Sequence, residues 1–148
     1  MPQEIALIGA GLSVGLAGLG VVFGQGELSR VSMEVLGRNP NIRSQLLIFT
    51  VLGIALVESG VIYAMIVSFK IINTPGMEPM HALAAGLAMG IAGLGSGFGE
   101  SKIVCGSLEA YNRNPENKAH VLQSMLMYLA LAEVVSIYAL IVSFQLLK

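Results

Sequence analysis

Four long stretches run almost free of charge through this sequence, and no other feature constrains its fold as strongly. Residues 5–26 and 79–99 carry no Asp, Glu, Lys or Arg, residues 44–69 carry only Glu58, and residues 119–147 carry only Glu133. A bilayer-spanning helix needs about 20 mostly apolar residues, so each stretch is long enough to cross once. In lipid only structures that satisfy their own backbone are viable, and nothing here alternates at the period of two that barrel strands require. The chain therefore reads as an all-α membrane protein of four transmembrane helices. Composition agrees, with 55% of the 148 residues hydrophobic and 11% charged, against about a quarter charged in a soluble domain. A net charge of −1 offers nothing to nucleic acid or to an acidic partner. The lone Cys105 excludes an internal disulfide. The start Met1-Pro2-Gln3-Glu4 lacks the basic flank of a signal peptide, so the first stretch is expected to be a retained helix.

The links between these stretches differ in character. Arg38-Asn39-Pro40 joins the first two and Arg113-Asn114-Pro115 the last two, with Arg30, Arg43, Lys102 and Lys118 close by. The central link, residues 70–80, has only Lys70 and Glu78 as fixed charges. Basic residues at span ends favour the cytoplasmic side. Both Arg-Asn-Pro turns are therefore expected in the cytoplasm, with the termini and the link at 73–76 on the opposite side.

The chain repeats itself. Pro40 and Pro115 lie 75 residues apart, as do Glu58 and Glu133, Gly11 and Gly86, Gly15 and Gly90, and Tyr63 and Tyr138. Ile66-Val67-Ser68-Phe69 returns as Ile141-Val142-Ser143-Phe144 at the same offset. Composition alone cannot produce such a register, so the chain reads as two tandem helical hairpins, residues 1–72 and 79–148. With two spans per unit, both hairpins point the same way. Gly11, Gly15, Gly20 and Gly24, like Gly86, Gly90, Gly95 and Gly99, form small-xxx-small pairs that let membrane helices approach closely. They are spread around the helix rather than confined to one stripe, which suggests the crowded inner layer of a ring.

Glu58 and Glu133 sit near the middle of their spans, where a carboxylate costs roughly 2.5–3.5 kcal/mol on insertion scales and is functional by default. In an antiparallel helix pair, residues equidistant from the turn lie at similar depth. The midpoint between Gln25 and Glu58 falls just past Pro40, and that between Glu100 and Glu133 just past Pro115. Each deep Glu is therefore expected to face a polar residue, Gln25 in the first hairpin and Glu100 in the second. Two carboxylates at one site repel unless a cation or a shared proton neutralises one of them. Oxygen-rich partners suit a hard cation such as Na⁺, whereas a proton needs only one carboxylate. Ser59 adds a hydroxyl beside Glu58, while its counterpart Val134 adds none, so the two sites are chemically unequal. Glu27 and Lys102, equivalent positions of opposite charge, are candidates to pair across hairpins.

The Gly-rich first helix, the Arg-Asn-Pro turn and the mid-helix Glu, present twice over nearly the whole chain, resemble the rotor-ring proteolipid (c subunit) of rotary ATPases in a tandem two-hairpin form. Gln25, Glu58, Ser59 and Tyr63 match the pattern of its Na⁺-binding members. Glu100, Glu133 and Tyr138 match in the second hairpin, with Glu100 similar to a two-carboxylate variant and Val134 departing from the pattern. The resemblance implies that each site spans adjacent hairpins. Glu100 and Glu133 would gain Ser59 and the Leu56 carbonyl, while Gln25 and Glu58 would receive only the Leu131 carbonyl. It further implies Na⁺, or else H⁺, as transported ion with no organic cofactor, and a ring of copies embedded in lipid in a bacterial plasma membrane. A stator a-type subunit would face the ring, and central-stalk subunits would be gripped by Arg38, Asn39, Pro40, Arg113, Asn114 and Pro115. An oligomeric cation channel or secondary transporter is the rival expectation. A structural proteolipid would leave two central glutamates unexplained. His81 has no ligand partner at metal spacing, and no nucleophile–base constellation points to an enzyme.

Overall fold

The computed structural model describes residues 2–74 and 76–148. Of the central link expected at 73–76, Pro75 lies outside the described residues. Five helices follow in order: α1 (Pro2–Arg38), α2 (Arg43–Val57), α3 (Ser59–Ile72), α4 (Pro79–Arg113) and α5 (Lys118–Leu146). Single-turn 3₁₀ helices, Pro40–Ile42 and Pro115–Asn117, make the two tight turns. Asn39 and Asn114 adopt nearly the same backbone, φ −142° with ψ 80° and 84°. A residue before proline is pushed out of the helical region, so each Asn ends its helix and each Pro opens the next turn. The α4 start is set likewise by Pro79 and by Glu78, whose carboxylate accepts the His81 N–H at 2.9 Å.

The four spans expected from the sequence are present as four helices long and apolar enough to cross a membrane, with α2 and α3 together forming the second. The 37 residues of α1 extend roughly 55 Å at the usual helical rise, well beyond a hydrocarbon core of about 30 Å. Its last third therefore projects, and it carries a ladder of ions in which Arg30 bonds Glu27 at 2.6 and 2.8 Å and also bonds Glu34. Glu27 is thus engaged within its own helix rather than with Lys102. Such exposed pairs add little stability, but they mark where lipid gives way to water.

Packing is in two layers. The inner helices α1 and α4 make the most extensive contact in the molecule, while the outer helices α3 and α5 meet only lightly. The inner contact runs backbone to backbone. A Cβ on Gly90 would lie 2.6 Å from the Leu12 carbonyl, one on Gly9 would lie 2.6 Å from that of Ala82, and Gly86 presses on Gly9. Small residues allow this approach, and the van der Waals attraction it brings is what associates helices in lipid. Hydroxyls tie each outer helix to an inner one: Ser13 donates to the Ala64 carbonyl and Ser143 to that of Ala85, each at 2.9 Å. The outer surface is studded with exposed Ile, Leu, Val and Phe, as a lipid-facing layer requires.

Gly90→Val should destabilise the chain by about 1–3 kcal/mol through overpacking against α1, read from unfolding in a denaturing-detergent titration. Gly37→Ala, at a glycine whose added methyl would meet nothing within 4 Å, should leave stability unchanged or slightly raised.

Candidate functional site

The second span breaks at Glu58. There the ladder tightens, with the Val61 N–H reaching the Glu58 carbonyl at 3.2 Å, and Glu58 separates α2 from α3. The equivalent Glu133 lies inside an unbroken α5. Just past the break, Gly60 lets α3 lean on α4, since a Cβ there would sit 2.7 Å from Ser96 Oγ. This approach carries Ser59 and Tyr63 toward the face of α5 that bears Glu133.

Ser59 Oγ donates to Glu133 Oε2 at 2.7 Å, joining residues 74 apart in sequence and belonging to different hairpins. Glu100, on α4, is 1% exposed. Leu56, Ser59 and Tyr63 from the first hairpin, with Glu100, Leu126, Leu129, Ala130 and Glu133 from the second, line one cavity of roughly 300 Å³. Both Glu100 oxygens and Glu133 Oε1 are buried with no hydrogen-bond partner among the described residues. A buried carboxylate without a partner is costly, and two in one cavity cannot both keep their charge without a counter-charge. The chemistry open to this arrangement is to hold a proton, a cation, or both. Its donors are oxygens alone, which favours hard ions over soft ones.

Of the residues expected to carry ions, the structure therefore brings together Glu100, Glu133, Ser59, Leu56 and Tyr63. It does not enclose the others in that cavity. Gln25 is half-buried and Glu58 exposed, and Leu131 and Tyr138 on α5 are 66% and 63% exposed. The repeat gives the reason. The offset that turns Glu58 into Glu133 turns Ser59 into Val134, which has no hydroxyl to offer. Arg38 and Arg113 are exposed beside the turns and lie 3.8 and 3.9 Å from Glu34 and Glu109.

Sequence reasoning missed two residues here. Gly60 sets the approach of α3, and its counterpart Val135 was the available signal. Ser136, fully buried one turn beyond Glu133, has a hydroxyl without a partner among the described residues. Its counterpart is Val61, so the serine stood out only as a departure from the repeat.

Comparison with known proteins follows the same two halves. The family described as the ATP synthase C subunit matches residues 8–71 and again 83–146. The ATP synthase c subunit of Dehalococcoides mccartyi is 43% identical over 70 residues, covering 47% of this chain and 92% of that protein. That of Syntrophobacter fumaroxidans is 47% identical over 62 residues, covering 42% and 69%. The A-type ATP synthase K subunit of Methanocaldococcus jannaschii is 32% identical over 116 residues, spanning 75% of this chain and 50% of its own length.

Removing the Ser59 donor to Glu133 should be felt in the isolated chain. Ser59→Ala is expected to cost about 1–3 kcal/mol, the usual loss when a buried charged group is left without its partner, whereas Ser59→Thr keeps the hydroxyl and most of the stability. Detergent unfolding of the two variants side by side provides the check.

Proposed function

The chain belongs to the ATP synthase C-subunit family, and on that premise we propose that it is a rotor-ring subunit that carries Na⁺ in preference to H⁺ on Glu58 and Glu133. As a c-type subunit it is a non-catalytic membrane component, so ATP chemistry takes place elsewhere in the complex. The observation that carries the ion assignment is the pair Glu100 and Glu133 in one cavity, with three buried, unpartnered oxygens among the described residues and the Ser59 hydroxyl on the fourth. A lone proton site needs one carboxyl in an apolar wall. A second carboxyl and a hydroxyl at the same depth provide what a partly dehydrated Na⁺ takes in exchange for water. Neutrality of the closed site then calls for one Na⁺ and one proton shared by the pair, since a charge facing lipid is heavily penalised.

Rotation follows from that penalty. A loaded, neutral site passes through lipid, and an emptied, charged one cannot. A stator subunit with a basic residue and two half-channels would hold the charged form, release its ion to one side and reload it from the other. Copies of the chain form the ring. The Arg-Asn-Pro turns, Arg38-Asn39-Pro40 and Arg113-Asn114-Pro115, would face the cytoplasm of a bacterial cell and seat the central stalk. The first-hairpin site, Gln25 and Glu58, would be completed by the Leu131 carbonyl and Tyr138 of another copy. With Val134 where the second site has Ser59, it should bind Na⁺ more weakly.

Two measurements follow. Glu58→Gln and Glu133→Gln should each insert and assemble yet abolish ion-coupled ATPase turnover in reconstituted vesicles, because every hairpin must pass the same stator. Coupled transport retained by either variant would show that its hairpin carries no ion. Carbodiimides attack a protonated carboxyl, so Na⁺ but not K⁺ should slow labelling of both glutamates, followed peptide by peptide by mass spectrometry. Glu133 should be protected at lower NaCl than Glu58, and labelling that tracks pH and ignores Na⁺ would make this a proton ring.

A further inference from the structure

One groove in the first hairpin is filled and its copy in the second is open. Leu28, Val31 and Val35 on α1, with Ile42, Leu46 and Phe49 after the turn, pack against Val104, Leu108 and Tyr111 of α4 in one core cluster. Phe49 stacks on Tyr111 with ring centroids 5.1 Å apart. Moved by the repeat offset, the six groove residues become Ile103, Gly106, Ala110, Asn117, Val121 and Ser124. All six line an open cleft of roughly 420 Å³ between α4 and α5, together with Lys102 and Tyr128. Moved back by the same offset, the occupants Val104, Leu108 and Tyr111 become Ser29, Met33 and Leu36 on α1. Ser29 is exposed, Met33 is 66% exposed, and α1 and the open cleft belong to opposite hairpins of the chain.

We propose that this cleft seats α1 of a second copy of the chain, with Ser29 against Tyr128 and Leu36 against Ser124, in the register that Val104 on Gly53 and Tyr111 on Phe49 adopt inside one chain. The proposal rests on the rotor-ring reading and adds the contacts of the seam between copies. An exchange of sizes supports the register. Inside the chain, Gly53 takes Val104 so closely that a Cβ on Gly53 would lie 2.5 Å from Val104 Cγ1. At the equivalent place the outer helix has the large Tyr128, 52% exposed, and the inner helix has the small Ser29. Large meets small in both, with the roles reversed, as expected if these surfaces face one another. The open glycines agree. Gly86 and Gly90 are packed within the chain while their counterparts Gly11 and Gly15 are open, and Gly20 and Gly24 are packed while Gly95 and Gly99 are open. Each surface is thus used once inside the chain and offered once to a neighbour, which is a head-to-tail interface that closes into a ring.

The two seams are then not interchangeable. Asn117, Ser124 and Ser29 replace Ile42, Phe49 and Val104, so the seam between copies is the more polar one and the ring should part into whole chains. The test uses purified full-length protein with Cys105→Ala as background. Oxidation of the Ser29→Cys, Tyr128→Cys double variant should give a ladder of covalent multimers of the 15.5 kDa chain, and neither single variant should ladder. As a second measurement, Tyr128→Gly should reduce the recovery of intact rings, and adding Ser29→Val, which recreates the Gly53–Val104 pair, should restore it. Native mass of the unmodified protein separates the two failures. A multimer in which the double-cysteine variant does not link, or in which Ser29→Val brings no recovery, overturns this register alone. Wild-type chains that never exceed one copy overturn the rotor reading with it.

Discussion

Everything in this molecule hangs on how closely α1 and α4 can approach. In lipid there is no apolar surface to hide from water, so helices associate by van der Waals fit and by the few hydrogen bonds between them. With glycine facing backbone along the inner contact, as at Gly9, Gly86 and Gly90, the two inner helices lie close enough for an outer helix to rest in the groove between them. Gly60 and Gly53 then let the second span settle on α4 rather than stand off it. The Ser59–Glu133 hydrogen bond is a consequence of that settling, since neither residue belongs to the other's hairpin.

The same close packing gives two hairpins built on one pattern different surroundings. In the second hairpin, Glu100 and Glu133 share a cavity completed by the first. In the first hairpin, Gln25 and Glu58 stand outside that cavity, with Glu58 exposed. Replacing Ser59 by Val134, Gly60 by Val135 and Gln25 by Glu100 changes donor set, shape and charge together. A ring built of such chains alternates two kinds of site and two kinds of seam.

Much of this was legible in the sequence because the strongest signals are strictly local or strictly periodic. Absence of charge over a bilayer's length marks the spans, proline after asparagine marks the turns, and the offset of 75 marks two hairpins in one register. The matching depth of Glu100 and Glu133 follows from their placement on either side of a midpoint just past Pro115. What stayed hidden depends on contact between helices that are distant in sequence. The break at Glu58, the lean of α3 at Gly60, and the buried hydroxyl of Ser136 arise from how surfaces meet, and no periodicity within one helix encodes that. The pairing expected between Glu27 and Lys102 is not made within one chain, where Arg30 lies on the same helix face three residues away and bonds Glu27.

The central claim is that the two-carboxylate cavity inside each chain is a Na⁺ site distinct from the one at the seam between copies. Equilibrium binding of radioactive Na⁺ to purified rings near neutral pH tests it most directly. The account predicts one tightly held Na⁺ per chain, lost in Glu133→Gln and retained in Glu58→Gln, with a second Na⁺ taken up only at higher concentration. Rings that take up no Na⁺, or that bind two with equal affinity, would contradict it.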